Sequence, residues 1–421
     1  MSRQQILQIH ASESAFLWGL RDRALCDSAY NRASLAELDA RVEAHLDGLV
    51  VAGKDGVRTC ASALEEPSSG SVFTALFVAV SCRAGASIEV ACRDGAALAH
   101  VLEAAASAPE LVRAAAAALG WLPLADMSWL LPCLVGEHAS AELQQIGIAG
   151  CAIHRHDPGE PLMRALRAES SALRARALRA LGELGRGDAR DDVALAATHE
   201  DMAVRCWSAW SGALLGDGRA PERLLATTAS EHVLAERACE TAMRAVGAEA
   251  GRRWIESSMK RGATRLALRG AGALGDPALV PWTLELMQVP ELARLAAETM
   301  HRITGVDFKA RPLAAAKPEG FESGPNDDPD DEDVASDPDD GLPWPNCNAA
   351  ERWWQTNQRE LTPGARYLLG KPASDREWLG QILRNGSQPM RAAAAEELTL
   401  LNGGPLVEVR ARASQQGRAY G

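Results

Sequence analysis

The stretch LRARALRALGELG at residues 173–185 opens on Leu-Arg, runs through Ala and Leu at helical spacing and closes on Leu-Gly. The same design recurs in LVRAAAAALG (111–120), ELQQIGIAG (142–150), VRCWSAWSGALLGD (204–217), AERACETAMRAVG (235–247), TRLALRGAGALGD (264–276) and LARLAAETMHRITG (292–305). Aligned on Arg113, Gln144, Arg174, Arg205, Arg237, Arg265 and Arg294, the copies follow one another at 31, 30, 31, 32, 28 and 29 residues. A period this narrow marks a chain of stacked supersecondary units rather than one closed core.

Each unit reads as two antiparallel helices. The first is short and apolar, as in DMSWLLPCLV (126–135), PERLLATT (221–228) and PALVPWTLEL (277–286), with Pro132 and Pro281 inside it; the second carries the arginine. Leu-Gly at 215/216 and 274/275 sets a glycine where a helix exits through a left-handed residue. Asp276-Pro277 then supplies an N-cap acceptor followed by a first-turn proline. Alanines let neighbouring helices approach closely, and leucines every three or four residues fill the seam. One such hairpin cannot bury its apolar face alone, so neighbours must stack.

Four segments follow. Residues 1–60 form an N-terminal helical block, in which Ser34 is the expected N-cap of a helix with Glu37 at its third position. Residues 61–305 are the repeat array, with seven helical pairs between about Asp94 and Gly305. Residues 306–341, rich in Pro, Gly and acid, bury too little apolar surface to offset their ordering entropy and are expected to be a disordered tether. Residues 342–421 regain order signals, and MRAAAAEELTLLNGG (390–404) again has the pattern of a repeat helix, so this tail is expected to cap the array. Trp344, Trp353, Trp354 and Trp378 crowd into it. They either staple the cap to the body or, with Tyr367, serve as anchors for a partner.

The formal charge is −12, yet 318–351 alone holds twelve carboxylates and no Lys or Arg. The rest of the chain is formally neutral and lacks the basic stripe that phosphate backbones require, which argues against nucleic acid as a partner. Nine cysteines (26, 60, 82, 92, 133, 151, 206, 239 and 347) show no zinc-site spacing and suit a reducing compartment. The start, MSRQQILQIH, has no signal-peptide core. The longest apolar run, VFTALFVAV at 72–80, is far short of the roughly 20 residues of a membrane span. A cytoplasmic protein is the expectation.

No metal, cofactor or catalytic residue is assigned. His45 has no second histidine or carboxylate at helical spacing and reads as a packed helix-face residue. His154, His156 and Asp157 around Arg155 read as a solvated turn, and Asp337, Asp339 and Asp340 before Gly341 lack the spaced donors of a calcium loop.

The repeats resemble short HEAT repeats, including the second-helix arginine and the first-helix proline, which implies an all-α superhelical solenoid. The resemblance narrows further. FLW..RD with L..LD.R..AHLDGL..AG at 16–53, ITG.DF at 303–308, the acidic stretch, and LPWP....ERWW......GARYLLG at 342–370 are similar to one bacterial family of HEAT-repeat proteins often encoded in type VI secretion gene clusters. That resemblance implies an adaptor or chaperone-like factor for effectors or spike components, a protein as partner, and no catalytic residues to carry over. The alternative is a HEAT-like enzyme of the bilin lyase or hydroxylase kind. Deoxyhypusine hydroxylase binds its metals through several His-Glu dyads, whereas His199-Glu200 is the single dyad here. HEAT-like DNA glycosylases are disfavoured by the neutral body.

Overall fold

In the computed structural model, residues 1–83, 96–229, 232–310, 312–324 and 337–416 are described. The architecture is all-α and HEAT-like. The seven second helices are Pro109–Trp121, Ala141–Ile153, Ser171–Leu184, Met202–Leu214, Ala235–Ala245, Thr264–Leu274 and Pro290–Thr304. Each follows a partner element, from Ala96–Ala105 to Val280–Leu286, which is shorter in every repeat except that of Thr264–Leu274, preceded by the longer Ala248–Lys260. Asp94 and Cys92 lie outside the described residues.

Local chemistry explains most helix ends. Ser140, Ser170 and Asp201 cap their second helices through side-chain oxygens on Leu143, Leu173 and Val204. Asp276 caps the turn that begins at Pro277. Gly275 leaves its helix at φ 71° and Gly216 follows Leu215 at φ 86°, the left-handed exits anticipated at both Leu-Gly pairs. One reading needs correction. The N-terminal helix begins at Arg32 with Asn31 as N-cap, and Ser34 is the residue that reciprocates within the capping box. Asparagine is as good a cap as serine, so the earlier residue takes the role. Pro132 and Pro281 lie inside first helices, as the sequence indicates. They stand in the first turns of Leu131–Leu134 and Val280–Leu286, where the missing N–H has no intrahelical partner to lose.

The chain divides into two compact units: residues 1–217 with 383–395 and 402–421, and residues 218–382 with 396–401. The N-terminal unit has a continuous core in which Trp18 stacks on Phe73 at 4.8 Å and Phe73 meets the Trp121 edge at 5.2 Å. The apolar run 72–80 is largely buried there within the helix Ser69–Ser81. In the C-terminal unit, Leu268, Leu295, Met300 and Ile303 pack with Ala350, Trp354 and Leu361 from beyond the acidic stretch. Each fully buried Leu or Phe contributes about 2 kcal/mol.

Candidate protein-binding site

The second helices present two chemically different ends. At the C-terminal ends, exit carbonyls have no partner within the helix, and the chain's own later residues supply one. In the C-terminal unit, Tyr367 N–H donates to Gly275 O at 2.9 Å, Leu369 N–H to Arg302 O at 2.7 Å and Gly370 N–H to Ile303 O at 3.1 Å. In the N-terminal unit, Leu406 N–H donates to Glu183 O at 3.0 Å. The approach is so close that a Cβ on Gly275 would stand 2.1 Å from Tyr367 O. Glycine there serves both the left-handed exit and the extended segment crossing it.

Ion pairs flank these crossings. Glu183 is held between Arg176 and Arg179, and Arg155 reaches Glu408 at 3.3 Å. Burial alone would raise the Glu183 carboxyl, but the surrounding Arg176, Arg179 and Arg155 more than offset it and hold it down at about 2. In the other unit Arg302 binds Glu240 at 3.0 Å and Glu298 at 2.9 Å, and Arg244 binds Glu396 at 2.8 Å. Burial opposes ionisation of Glu240 as well; Arg302 and Arg244 overcome it and set that carboxyl at about 2.

At the N-terminal ends stand the repeat arginines. Arg113 grips both Asp22 oxygens, at 2.9 and 2.8 Å. Gln144 donates to Ala139 O and Arg174 to Ala168 O, and Arg205 donates to His199 O and Glu200 O. In the last two repeats the row meets carboxylates. Arg265 holds Asp339 through two nitrogens at 3.0 and 2.6 Å, and Arg294 donates to Asp337 Oδ2 at 2.6 Å and Asp339 O at 3.0 Å. The Arg294 guanidinium lies 4.6 Å from the Trp344 ring centre and 5.7 Å from that of Phe321. Burial works against the Asp337 charge, but the Asp339 N–H and Arg294 outweigh it and lower that carboxyl below its ordinary range. Beside this clasp opens a pocket of about 440 Å³, bounded by Arg265, Glu291, Arg294, Phe321, Asp337 and Asp339.

These contacts correct the reading of 306–341 as a loose tether at both of its described ends. Val306 and Phe308 are buried, and Asp339 is 2% exposed. Arginines from two repeats supply the attraction that apolar content could not. The same contacts account for Asp337 and Asp339 without calcium. Nor is the tail confined to the end of the array. In the N-terminal unit Gln388 N–H donates to Tyr30 O at 2.7 Å, Ala413 N–H to Asp39 Oδ2 at 2.7 Å, and Arg21 to the Arg410 and Ala411 carbonyls.

Of the residues singled out as partner anchors, Trp354 is buried in the core and Trp353 packs partly buried against it. Trp344 covers Arg294, and the Tyr367 hydroxyl accepts from Thr362 N–H at 3.0 Å. Trp353, Trp354 and Tyr367 share one apolar cluster. Arg155 is no solvated turn residue: it adopts φ 53° and donates to Leu406 O at 2.7 Å. His45 gains a neighbour that helical spacing could not reveal, His10 on the adjacent helix, with the two Nδ1 atoms 3.1 Å apart. Among the described residues no group of three or more His, Cys, Asp or Glu side chains converges as a metal site. Burial pushes the Cys60 thiol up to about 12 and the Cys151 thiol up to about 11, away from the thiolate form a nucleophile needs.

Among the described residues no helix is long and apolar enough to cross a membrane. Residues 159–244 match the family model for HEAT repeats. Repeats of this kind commonly act as non-enzymatic scaffolds for protein–protein interaction. No curated protein matches the chain.

Proposed function

We propose that this chain, with its HEAT-like repeats, is a non-catalytic adaptor that grips non-helical segments of a client protein. The observation that carries the reading is that its repeats already hold distant non-helical segments of the chain in two ways. Backbone N–H groups cross the helix exits at Gly275 and Arg302, and carboxylates seat on Arg265 and Arg294. The first mode reads no side chains and the second reads charge, so together they suit a surface that accepts many sequences with a preference for acidic ones.

The finer form of the proposal is an accessory role in loading or holding type VI secretion effectors or spike components in the bacterial cytoplasm. Its support is the sequence resemblance alone. The test is calorimetric titration of the full chain with purified spike-tip protein and with an effector encoded beside it. Saturable binding in about the micromolar range supports the finer role. Absence of binding to both removes it. Should affinity capture from the native cell also retain no protein that a heat-unfolded control does not, the adaptor reading itself fails.

A further inference from the structure

We infer that Arg174, His199 and Arg205 form a docking site for an acidic segment of a partner, with carboxylates two residues apart in a tight turn like that of Asp337–Asp340. The inference rests on the adaptor reading and names the chemistry of one of its surfaces.

The repeat position occupied by Arg265 and Arg294 shows what such a site takes: Asp337 and Asp339, separated by Pro338, reach the arginines of two adjacent repeats. Arg174 and Arg205 hold the same position in two adjacent repeats of the N-terminal unit. There the acceptors are neutral. Arg174 Nε donates to Ala168 O, and Arg205 Nη1 donates to His199 O and, at 2.7 Å, to Glu200 O. Among the described residues no carboxylate stands within ion-pairing distance of either guanidinium. Both side chains are half-buried, and the carbonyls fix them in place, so a ligand meets preset donors rather than mobile ones.

His199 supplies the second, independent observation. Its Nδ1 lies 3.0 Å from the Asp201 N–H, and its Nε2 lies 2.9 Å from Arg174 Nη1. Both neighbours are donors, whereas a neutral imidazole has one lone pair. Whichever tautomer forms, one contact sets donor against donor. With Nδ1 accepting from Asp201, the Nε2–H and the Arg174 N–H converge on the same space, and a carboxylate oxygen there accepts from both. The site is rich in donors and short of acceptors, which is the complement of an acidic segment. The exposed Glu169 and Glu200 border it and weaken it towards anions, so two carboxylates are needed rather than one.

The probe is a fluorescent peptide with the chain's own sequence 334–346, VASDPDDGLPWPN, titrated into the full-length protein and followed by anisotropy. We expect saturable binding that weakens at least about tenfold in Arg174→Met/Arg205→Met, and equally when the peptide aspartates matching 337 and 339 become asparagine. Raising salt from about 50 to about 300 mM should weaken it several-fold. Because the arginines also brace loop carbonyls, a photo-crosslinking version of the peptide maps its place on the parent protein without mutation. Attachment within 166–205 supports the site. Attachment near 265–294 means that the probe displaced the internal clasp, and it overturns the siting, as does the absence of saturable binding. A concentration-dependent dimer lost in the double variant assigns the site to a second copy of this chain and overturns the assignment to a separate partner. If clients in the adaptor assay bind the double variant as they bind the parent, this inference fails while the adaptor reading stands.

Discussion

Arg294 and Arg174 occupy one position of the repeat, in the first turns of their second helices, yet they live in different surroundings. Arg294 is 6% exposed, sits under Trp344 and is neutralised by Asp337. Arg174 is half-buried, bonded to a backbone carbonyl and placed 2.9 Å from the His199 imidazole. The repeat therefore dictates where a guanidinium points and leaves its ligand to whatever distant chain arrives. In the C-terminal unit that chain is the protein's own acidic stretch. A buried pair of this kind loses heavily when one partner is removed, because the other charge is stranded. An arginine facing neutral carbonyls strands nothing charged.

Arginines at equivalent positions point alike only where their helices stack alike, and Leu274→Asp disrupts that stacking. Leu274 is fully buried and its methyls press on Gly251. A carboxylate there should cost about 3 to 5 kcal/mol and abolish cooperative thermal unfolding of the C-terminal unit. Near-parental melting would mean that the seam lies elsewhere. The contrast itself is measured by a pair of variants. Asp337→Ala, which leaves the buried Arg294 without its carboxylate, should cost about 3 kcal/mol in urea unfolding, and Arg174→Met about 1 kcal/mol or less. Equal losses would erase the distinction drawn between the units.

A pH effect concerns a feature the units share. Glu183 and Glu240, one in each, titrate at about 2 when folded against an ordinary value of 4.5. A depressed carboxyl adds stability that is fully present above 4.5 and is lost as pH falls towards 2. Unfolding midpoints followed from about pH 6 to about pH 3 should decline through this window. Glu183→Gln should be less stable at neutral pH and show a shallower acid slope. An unchanged slope would remove Glu183 from the acid response.

What the sequence determined is what repeats locally. A spacing near 30 residues, Leu-Gly exits and Ser or Asp caps specify helical pairs, because each depends on residues within a turn or two of one another. The assignment of Ser34 as cap slipped by three residues because Asn31, an equal acceptor, stood at the same kind of boundary. Tertiary structure alone decided which side chains meet. Asp339 and Arg265 are 74 residues apart, Ala413 and Asp39 are 374 apart, and His10 and His45 join two helices across 35. None of these pairs leaves a periodic trace. Composition marked 306–341 as too polar to fold by burial, and by burial alone that holds; two arginines projecting from stacked helices give its aspartates the opposite charge that no local count could anticipate.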